Sequence, residues 1–197
     1  MIKVAGTFIL VFSFLFICNA QQSEKEYPHI LKTDSTWSSE IFPFPIHFAP
    51  QIKMEGYEDA HFPPGWGKPE NPEFWSYIFA WNIKGHEKFT TDELITNLQF
   101  YFDGLMQGVN KDKDIVIPAT SVHLIQMKNS NYEGNVKVYD AFRSKKVITL
   151  NILVDHYFCK KENKSIVVFR FSTKPYGDTV WTMLKEVTLV EDRCNEL

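Results

Sequence analysis

Short turns separate successive strand-like runs in the second half of the chain, and this spacing constrains the fold more than any other feature. The runs, rich in β-branched and apolar residues, cover 115–117, 121–128, 136–142, 147–159, 165–172 and 180–190. Neighbouring strands joined by a few residues pair antiparallel, because a parallel pair needs a long crossover connection. Within 147–159 apolar and polar side chains alternate, which predicts one dry face and one wet face. The second half of the chain is therefore predicted to form an antiparallel meander.

The clearest single strand is predicted at 74–83, ahead of the meander. Large aromatic side chains occupy every second position of this segment, at Trp75, Tyr77, Phe79 and Trp81. An alternation of period two is typical of a strand. One face of this strand is therefore strongly aromatic.

One amphipathic helix is predicted at 90–107. Thr90 and Glu93 have the spacing of a capping box, and large apolar residues then recur at a period of 3.6. Gly108 is the predicted C-terminal stop. Gly104 costs roughly 1 kcal/mol relative to alanine inside a helix, so we expect close backbone packing against the sheet at this position.

These elements predict an α+β fold in which one amphipathic helix packs on a twisted, mainly antiparallel sheet of about five to seven strands. The alternative is a β-barrel with one added helix. The chain has 197 residues, of which 44% are hydrophobic, and this is enough for one self-sufficient core. We expect a single α+β domain over 41–197, preceded by a flexible leader over 21–40.

The segment 42–72 is predicted to be ordered, although it holds seven of the ten prolines. Proline disfavours helix interiors and central sheet positions, whereas the aromatic residues between the prolines favour burial. We expect an extended wrap over the core, with a domain boundary as the alternative.

The first twenty residues have the organisation of a secretory signal peptide. Lys3 precedes an apolar run, and Cys18 and Ala20 place small residues at the −3 and −1 positions of a cleavage site before Gln21. A retained membrane helix is the competing interpretation, but about fourteen apolar residues fall short of the roughly twenty that span a bilayer. We expect a secreted or periplasmic protein. A lipoprotein anchored through Cys18 is the alternative, and only that form would associate with a membrane.

Cysteine usage agrees with export. Once Cys18 leaves with the signal peptide, Cys159 and Cys194 remain as an even pair, which predicts a disulfide between them in an oxidising compartment. Two reduced thiols are the alternative, because the sequence does not give the Cα separation that a bridge requires.

Charge and motif content exclude several classes of function. With 21 Lys and Arg against 24 Asp and Glu and no basic block, the chain lacks the charge pattern of nucleic acid or anionic lipid binding. The sequence has no Gly-x-Ser-x-Gly, Cys-x-x-Cys, phosphate loop or dinucleotide fingerprint. We therefore expect no cofactor, assign no catalytic residue and favour a protein that is not an enzyme.

The six histidines are scattered singly, and this spacing predicts no metal site. The best exception is His61. It shares its segment with Glu58 and Asp59, and it would meet His47 if the proline-rich wrap folds back.

The aromatic face of 74–83 is the most suggestive feature for function. If the sheet curls, this face lines a cavity for a hydrophobic small molecule, with the loop 63–67 as a lid. The predicted ligand-binding residues are Trp66, Trp75, Tyr77, Phe79 and Trp81. The alternative is that these side chains pack against the helix as ordinary core.

The sequence favours a non-enzymatic, secreted or periplasmic module that binds a hydrophobic small molecule or a partner protein. Two alternatives stay open. One is a hydrolase acting on an extracellular polymer, with Glu58 and Glu73 as acid and base beside the aromatic residues. The other is a structural or interaction scaffold.

Overall fold

Seven antiparallel strands form one sheet in the computed structural model, which describes residues 26–110, 114–128 and 131–190. In chain order the described strands are β1 (Leu31–Lys32), β2 (Ser38–Pro43), β3 (Gly56–Phe62), β4 (Tyr77–Lys84), β5 (Ser121–Gln126), β6 (Tyr132–Tyr139), β7 (Val147–Cys159), β8 (Lys164–Ser172) and β9 (Thr188–Leu189). The described helices are α1 (Thr91–Val109) and α2 (Thr179–Glu186). The sheet order is β2-β3-β4-β8-β7-β6-β5, while β1 pairs with β9. The predicted α+β fold is confirmed, and the sheet is not closed into a barrel.

The sheet has two faces, because successive side chains of each strand point to opposite sides. We call the face that carries Phe79 and Trp81 the helix face, and the face that carries Ile78 and Ala80 the back face. Side chains from β3, β4, β7 and β8 contribute to the buried cluster on the helix face, and all four strands also contribute residues to the cluster on the back face. The central strands of the sheet are therefore buried on both sides.

Different parts of the chain cover the two faces. Helix α1 and the segment 44–55 pack on the helix face. The N-terminal segment 27–37, the β1/β9 pair and α2 pack on the back face. The face of β7 that was predicted to be wet carries Leu153, which packs against α2, so this face is partly covered.

Helix α1 begins where it was predicted to begin, but it continues past Gly108, the predicted stop, to Val109, and its C-cap is Asn110. Its capping box is present, since the Thr90 hydroxyl accepts from the Glu93 amide and the Glu93 carboxylate accepts from the Thr90 amide at 2.8 Å. The buried residues on its inner side are Leu94, Leu98, Tyr101, Phe102 and Met106. At Gly104 an added Cβ would lie 1.8 Å from the Phe48 carbonyl oxygen. The close backbone contact that we predicted at Gly104 therefore exists, but it is with segment 44–55 and not with the sheet.

The proline-rich segment 42–72 is more than a wrap. It supplies the end of β2 and the whole of β3, which pairs with β2 on one side and β4 on the other. No proline occurs between Pro50 and Pro63, so every residue of β3 can donate to the sheet. The part at 44–55 does cover the core, with Ile46, Ala49 and Ile52 buried.

Two strand predictions are wrong, and a third strand starts later than predicted. The segment 180–190 forms α2 before the short β9, because the Asp178 carboxylate caps the Val180 amide at 3.0 Å and starts a helix. The segment 115–117 forms no strand. Strand β4 begins at Tyr77, because Trp75 has a positive φ of 54° and interrupts the extended backbone.

Some predictions concern residues outside the described ranges. The signal peptide at 1–20 and Cys194 lie there. Cys159 is buried at the end of β7, and its bridge to Cys194 stays a prediction. Neither described helix is long and apolar enough to cross a membrane.

Candidate functional site

The five aromatic residues predicted to bind a ligand fall into two groups. Phe79 and Trp81 are fully buried under α1 and pack against Phe169, with ring centroids 4.8 and 4.6 Å away, so they are ordinary core. Trp66, Trp75 and Tyr77 line a cavity of about 260 Å³ next to that core. The structure thus brings three of the five predicted residues to one cavity.

We call this space the aromatic cavity. Its lining residues are Glu40, Phe42, Phe48, Phe62, Trp66, Trp75, Tyr77, Tyr101, Leu105, Phe142 and Arg143. Five of these residues also line a larger neighbouring groove of about 850 Å³ beside α1. The two charged side chains of the aromatic cavity, Glu40 and Arg143, belong to exposed residues. The cavity is therefore apolar inside and charged at its entrance.

Trp66 of the loop 63–67 lines one side of the aromatic cavity, and the action of this loop as a lid stays a prediction. The amide of Gly65 donates to the Glu73 carboxylate at 2.7 Å, and the Trp75 amide donates to the Trp66 carbonyl at 2.9 Å. A Cβ at Gly65 would lie 2.5 Å from the Glu73 carboxylate, so a larger residue there would have to displace this side chain. These contacts hold the Trp66 ring against Phe62, with centroids 4.9 Å apart.

The turn after β6 closes a second side, and one carboxylate shapes it. Asp140 accepts hydrogen bonds from the amides of Phe142 and Arg143, both at 3.0 Å, and from the Ser144 amide at 2.7 Å. Burial alone would raise the pKa of Asp140, but these amide hydrogen bonds outweigh it and lower the pKa. A charged Asp140 thus fixes the turn that presents Phe142 and Arg143 to the aromatic cavity.

Tyr77 carries the most unusual polar group of the aromatic cavity. Its ring stacks between Phe62 and Phe171, with centroids 5.6 and 4.9 Å away. Its hydroxyl is buried and has no hydrogen-bond partner among the described residues. Burial, with the negative charge of Glu58, raises the pKa of Tyr77 well above its usual value, so the hydroxyl keeps its proton. A buried hydroxyl without a partner is unfavourable.

Glu58 lies on the helix face, beneath α1. Its carboxyl accepts from the Trp81 indole N–H and from the Tyr101 hydroxyl, both at 2.8 Å. Burial raises the pKa of Glu58 to about 8, although the two hydrogen bonds act to lower it. Glu58 does not line the aromatic cavity.

The neighbouring residue, Asp59, points to the back face and joins two histidines. Its Oδ1 atom lies 2.8 Å from His29 Nδ1 and 2.8 Å from His61 Nε2. Its Oδ2 atom accepts from the amides of Ile30 and Leu31 at 2.7 and 3.1 Å. We call His29, Asp59 and His61 the histidine–aspartate cluster.

The histidine–aspartate cluster differs from the grouping considered at the sequence level. Glu58 is absent from it because successive residues of a strand face opposite sides. His47 is also absent, since its ring packs on Phe48 over the helix face, with centroids 5.1 Å apart. Its place is taken by His29, which is thirty residues from Asp59 in the chain and left no signal in local spacing.

The two carboxylates considered for a hydrolase differ in burial, because Glu73 is only partly buried. Glu58 is fully buried, and Glu73 holds the loop 63–67 through Gly65. An acid and base for polymer hydrolysis would need to meet a glycosidic oxygen and a water in a cleft. The geometry therefore gives both carboxylates structural roles.

No family model, curated protein or solved structure matches this chain. The site is therefore described by its own geometry alone.

Proposed function

We propose that this protein binds a small, mainly apolar molecule in the aromatic cavity, and that the molecule accepts a hydrogen bond from Tyr77. The observations that carry this proposal are the aromatic walls of the cavity and the hydroxyl of the lining residue Tyr77, which is buried and has no hydrogen-bond partner among the described residues. Ligand sites in proteins typically combine apolar walls with a few well-placed polar groups. A binding module of this kind needs no catalytic group.

The size of the aromatic cavity limits the ligand. An apolar cavity of about 150 Å³ accommodates benzene. The 260 Å³ available here fit one ring or short branched chain with a polar substituent. A longer molecule would extend into the neighbouring groove beside α1, past Glu40 and Arg143.

The chemistry of the walls favours a neutral or anionic ligand with a carbonyl or carboxylate oxygen. Tyr77 offers a donor inside, and Arg143 offers a cation at the entrance. The aromatic walls of the cavity suit a ligand with an apolar or aromatic group.

A matched pair of probes tests the proposal. Acetophenone has one ring and one carbonyl acceptor, and α-methylstyrene has nearly the same shape without the oxygen. We expect tryptophan fluorescence and calorimetry to show that acetophenone binds more tightly by about tenfold, which corresponds to one hydrogen bond of roughly 1.4 kcal/mol. Tyr77→Phe should remove this preference and keep the binding of α-methylstyrene.

Tyr176→Phe is the control for that experiment. Tyr176 is a partly buried tyrosine whose hydroxyl donates to the backbone carbonyls of Gly134 and Ile152, away from the aromatic cavity. This variant should keep the preference for acetophenone. If neither probe binds, and native mass spectrometry of protein from its own host shows no small molecule, the proposal fails.

The proposal also places the protein outside the cytoplasm, as a secreted or periplasmic module. It rests on the organisation of residues 1–20 and on the pair Cys159 and Cys194. Mass spectrometry of the native protein should find a mature terminus at Gln21, or a lipid on Cys18 for the lipoprotein alternative. An intact Met1 would contradict export, and two reactive thiols in the unfolded, unreduced protein would contradict the bridge.

A further inference from the structure

We propose that the histidine–aspartate cluster of His29, Asp59 and His61 is a binding site for a divalent transition-metal ion, with zinc as the best match. The site lies on the back face of the sheet. It is independent of the aromatic cavity, which lies on the helix face.

The donor set is suited to such an ion. Two imidazole nitrogens and one carboxylate oxygen are common ligands of zinc, and imidazole favours zinc, copper, iron and nickel over calcium and magnesium. One potential ligand atom of each residue lies within 4.8 Å of the others. Three donors on one side of an ion leave at least one position for water or a substrate.

The spacing of the donors fits a metal ion after a small adjustment. Zinc bonds of 2.0–2.2 Å in tetrahedral geometry separate neighbouring ligand atoms by about 3.3 Å. Asp59 Oδ1 lies 2.8 Å from His29 Nδ1 and 2.8 Å from His61 Nε2. These distances need to open by about half an ångström around a zinc ion of that bond length. His29 can make room, because its side chain is 52% exposed.

The strand places two of the ligands without distortion. Asp59 and His61 are two residues apart on β3, and residues two apart on a strand point to the same side. His29 approaches from the segment that leads into β1. An ion at this site would therefore connect the N-terminal segment to the sheet.

The ligands are oriented by hydrogen bonds of the kind that accompany metal sites. The amides of Ile30 and Leu31 hold the second oxygen of Asp59. His61 Nδ1 lies 2.8 Å from the Thr33 hydroxyl oxygen, which can accept a hydrogen bond from Nδ1–H and so leave Nε2 unprotonated and able to bind metal. Ligating histidines and carboxylates in metalloproteins are commonly fixed in this way.

The burial of the cluster gives the ion one route of entry. The side chains of Asp59 and His61 are 0% and 6% exposed, whereas that of His29 is half exposed. The open side of the site therefore faces solvent at His29. Two buried ligands, Asp59 and His61, with one exposed ligand, His29, suit a site that exchanges its metal ion with the solution.

Zinc titration of the whole mature chain, freed of metal with EDTA, tests the proposal. We expect isothermal titration calorimetry to detect one zinc ion for each chain. His29→Ala removes a half-exposed ligand and keeps the core intact, and it should weaken zinc binding by more than about 100-fold. Thr33→Val removes only the group that orients His61, and it should weaken zinc binding by about 10–100-fold.

His123→Ala is the matched control, because His123 is exposed on β5 and lies outside the cluster. It should bind zinc like the wild type. Cobalt(II) gives a second readout, since a four-coordinate ion absorbs visible light and this absorption should disappear in His29→Ala. Equal zinc affinity of the wild type and His29→Ala, or no stoichiometric binding by a wild-type chain that circular dichroism shows to be folded, would overturn the proposal.

Discussion

Glu58 and Asp59 are neighbours on β3 and both are fully buried, yet their pKa values are displaced in opposite directions. Glu58 faces α1 and receives hydrogen bonds from two neutral side chains, Trp81 and Tyr101, and burial raises its pKa to about 8. Burial also acts to raise the pKa of Asp59, but hydrogen bonds with His61 and His29 and a backbone amide outweigh it and lower the pKa. The kind of donor, more than burial, therefore decides which carboxyl keeps its charge.

The largest expected effect is a loss of stability at high pH that Glu58 causes. Its pKa rises from 4.5 to about 8 on folding, so between these values the folded chain holds a proton that the unfolded chain has released. The contribution of Glu58 is fully present below about pH 4.5. It is lost as the pH rises to about 8, by about 1.4 kcal/mol for each pH unit. The Glu58→Gln side chain cannot ionise, so the free energy of unfolding of this variant should rise relative to that of the wild type by the same amount for each pH unit.

Urea denaturation at closely spaced pH values, in EDTA, measures this difference. Glu70→Gln is the control, since Glu70 is exposed and its substitution should give a curve parallel to that of the wild type. A Glu58→Gln curve that is also parallel would mean that Glu58 is ionised when folded. That result would remove the contrast with Asp59.

The second largest expected effect is the loss of stability when Asp59, the charged carboxylate of the two, is removed. Asp59→Ala leaves two imidazoles and two amides without their common acceptor, and we expect a loss of about 3–5 kcal/mol in the free energy of unfolding at pH 7. Chemical denaturation with circular dichroism detection measures it. Glu70→Ala should cost little. A loss below about 1 kcal/mol for Asp59→Ala would show that water replaces the carboxylate easily and that the back face is open there.

A third prediction compares the apolar packing of the two faces. Phe102 from α1 and Leu184 from α2 are both fully buried, one over each face of the sheet. Phe102→Ala should destabilise the chain by about 3–5 kcal/mol and Leu184→Ala by about 2–5 kcal/mol in denaturant titrations. Leu98→Ala on α1 should fall in the same range as Leu184→Ala. A change under about 0.5 kcal/mol at Leu184 alone would mean that α2 covers the back face loosely.

The same contrast explains which parts of the fold could be predicted from the sequence. Helix α1 and strand β7 show their periods of 3.6 and 2 directly, because each buries one apolar side. Strand β3 does not, because its sequence carries Glu58, Asp59 and His61 at buried positions. Asp59 and His61 contact each other two residues apart, but their other partners and those of Glu58 lie 23 to 43 residues away in the chain, so local spacing contains no record of those contacts.

The candidate site was partly predictable for a related reason. Trp66, Trp75 and Tyr77 could be identified because aromatic side chains at strand spacing and in a Gly/Pro loop suggest a wall and a lid. Phe142 and Arg143 could not, since their place depends on a turn that Asp140 fixes through backbone amides. The separation of Phe79 and Trp81 from the aromatic cavity depends on where α1 lies across the sheet.

The smallest expected effects concern two tyrosines that both line the aromatic cavity and differ in one hydrogen bond. Tyr101 donates to Glu58, so Tyr101→Phe should cost about 1–3 kcal/mol in the free energy of unfolding. The Tyr77 hydroxyl has no partner among the described residues, so Tyr77→Phe removes an unfavourable buried group and should stabilise the ligand-free chain by about 1 kcal/mol. Thermal and urea denaturation of protein that has been unfolded and refolded to remove any bound molecule compare the two variants. A loss of stability in Tyr77→Phe equal to that in Tyr101→Phe would contradict the prediction, because it would mean that the Tyr77 hydroxyl is already paired without a ligand.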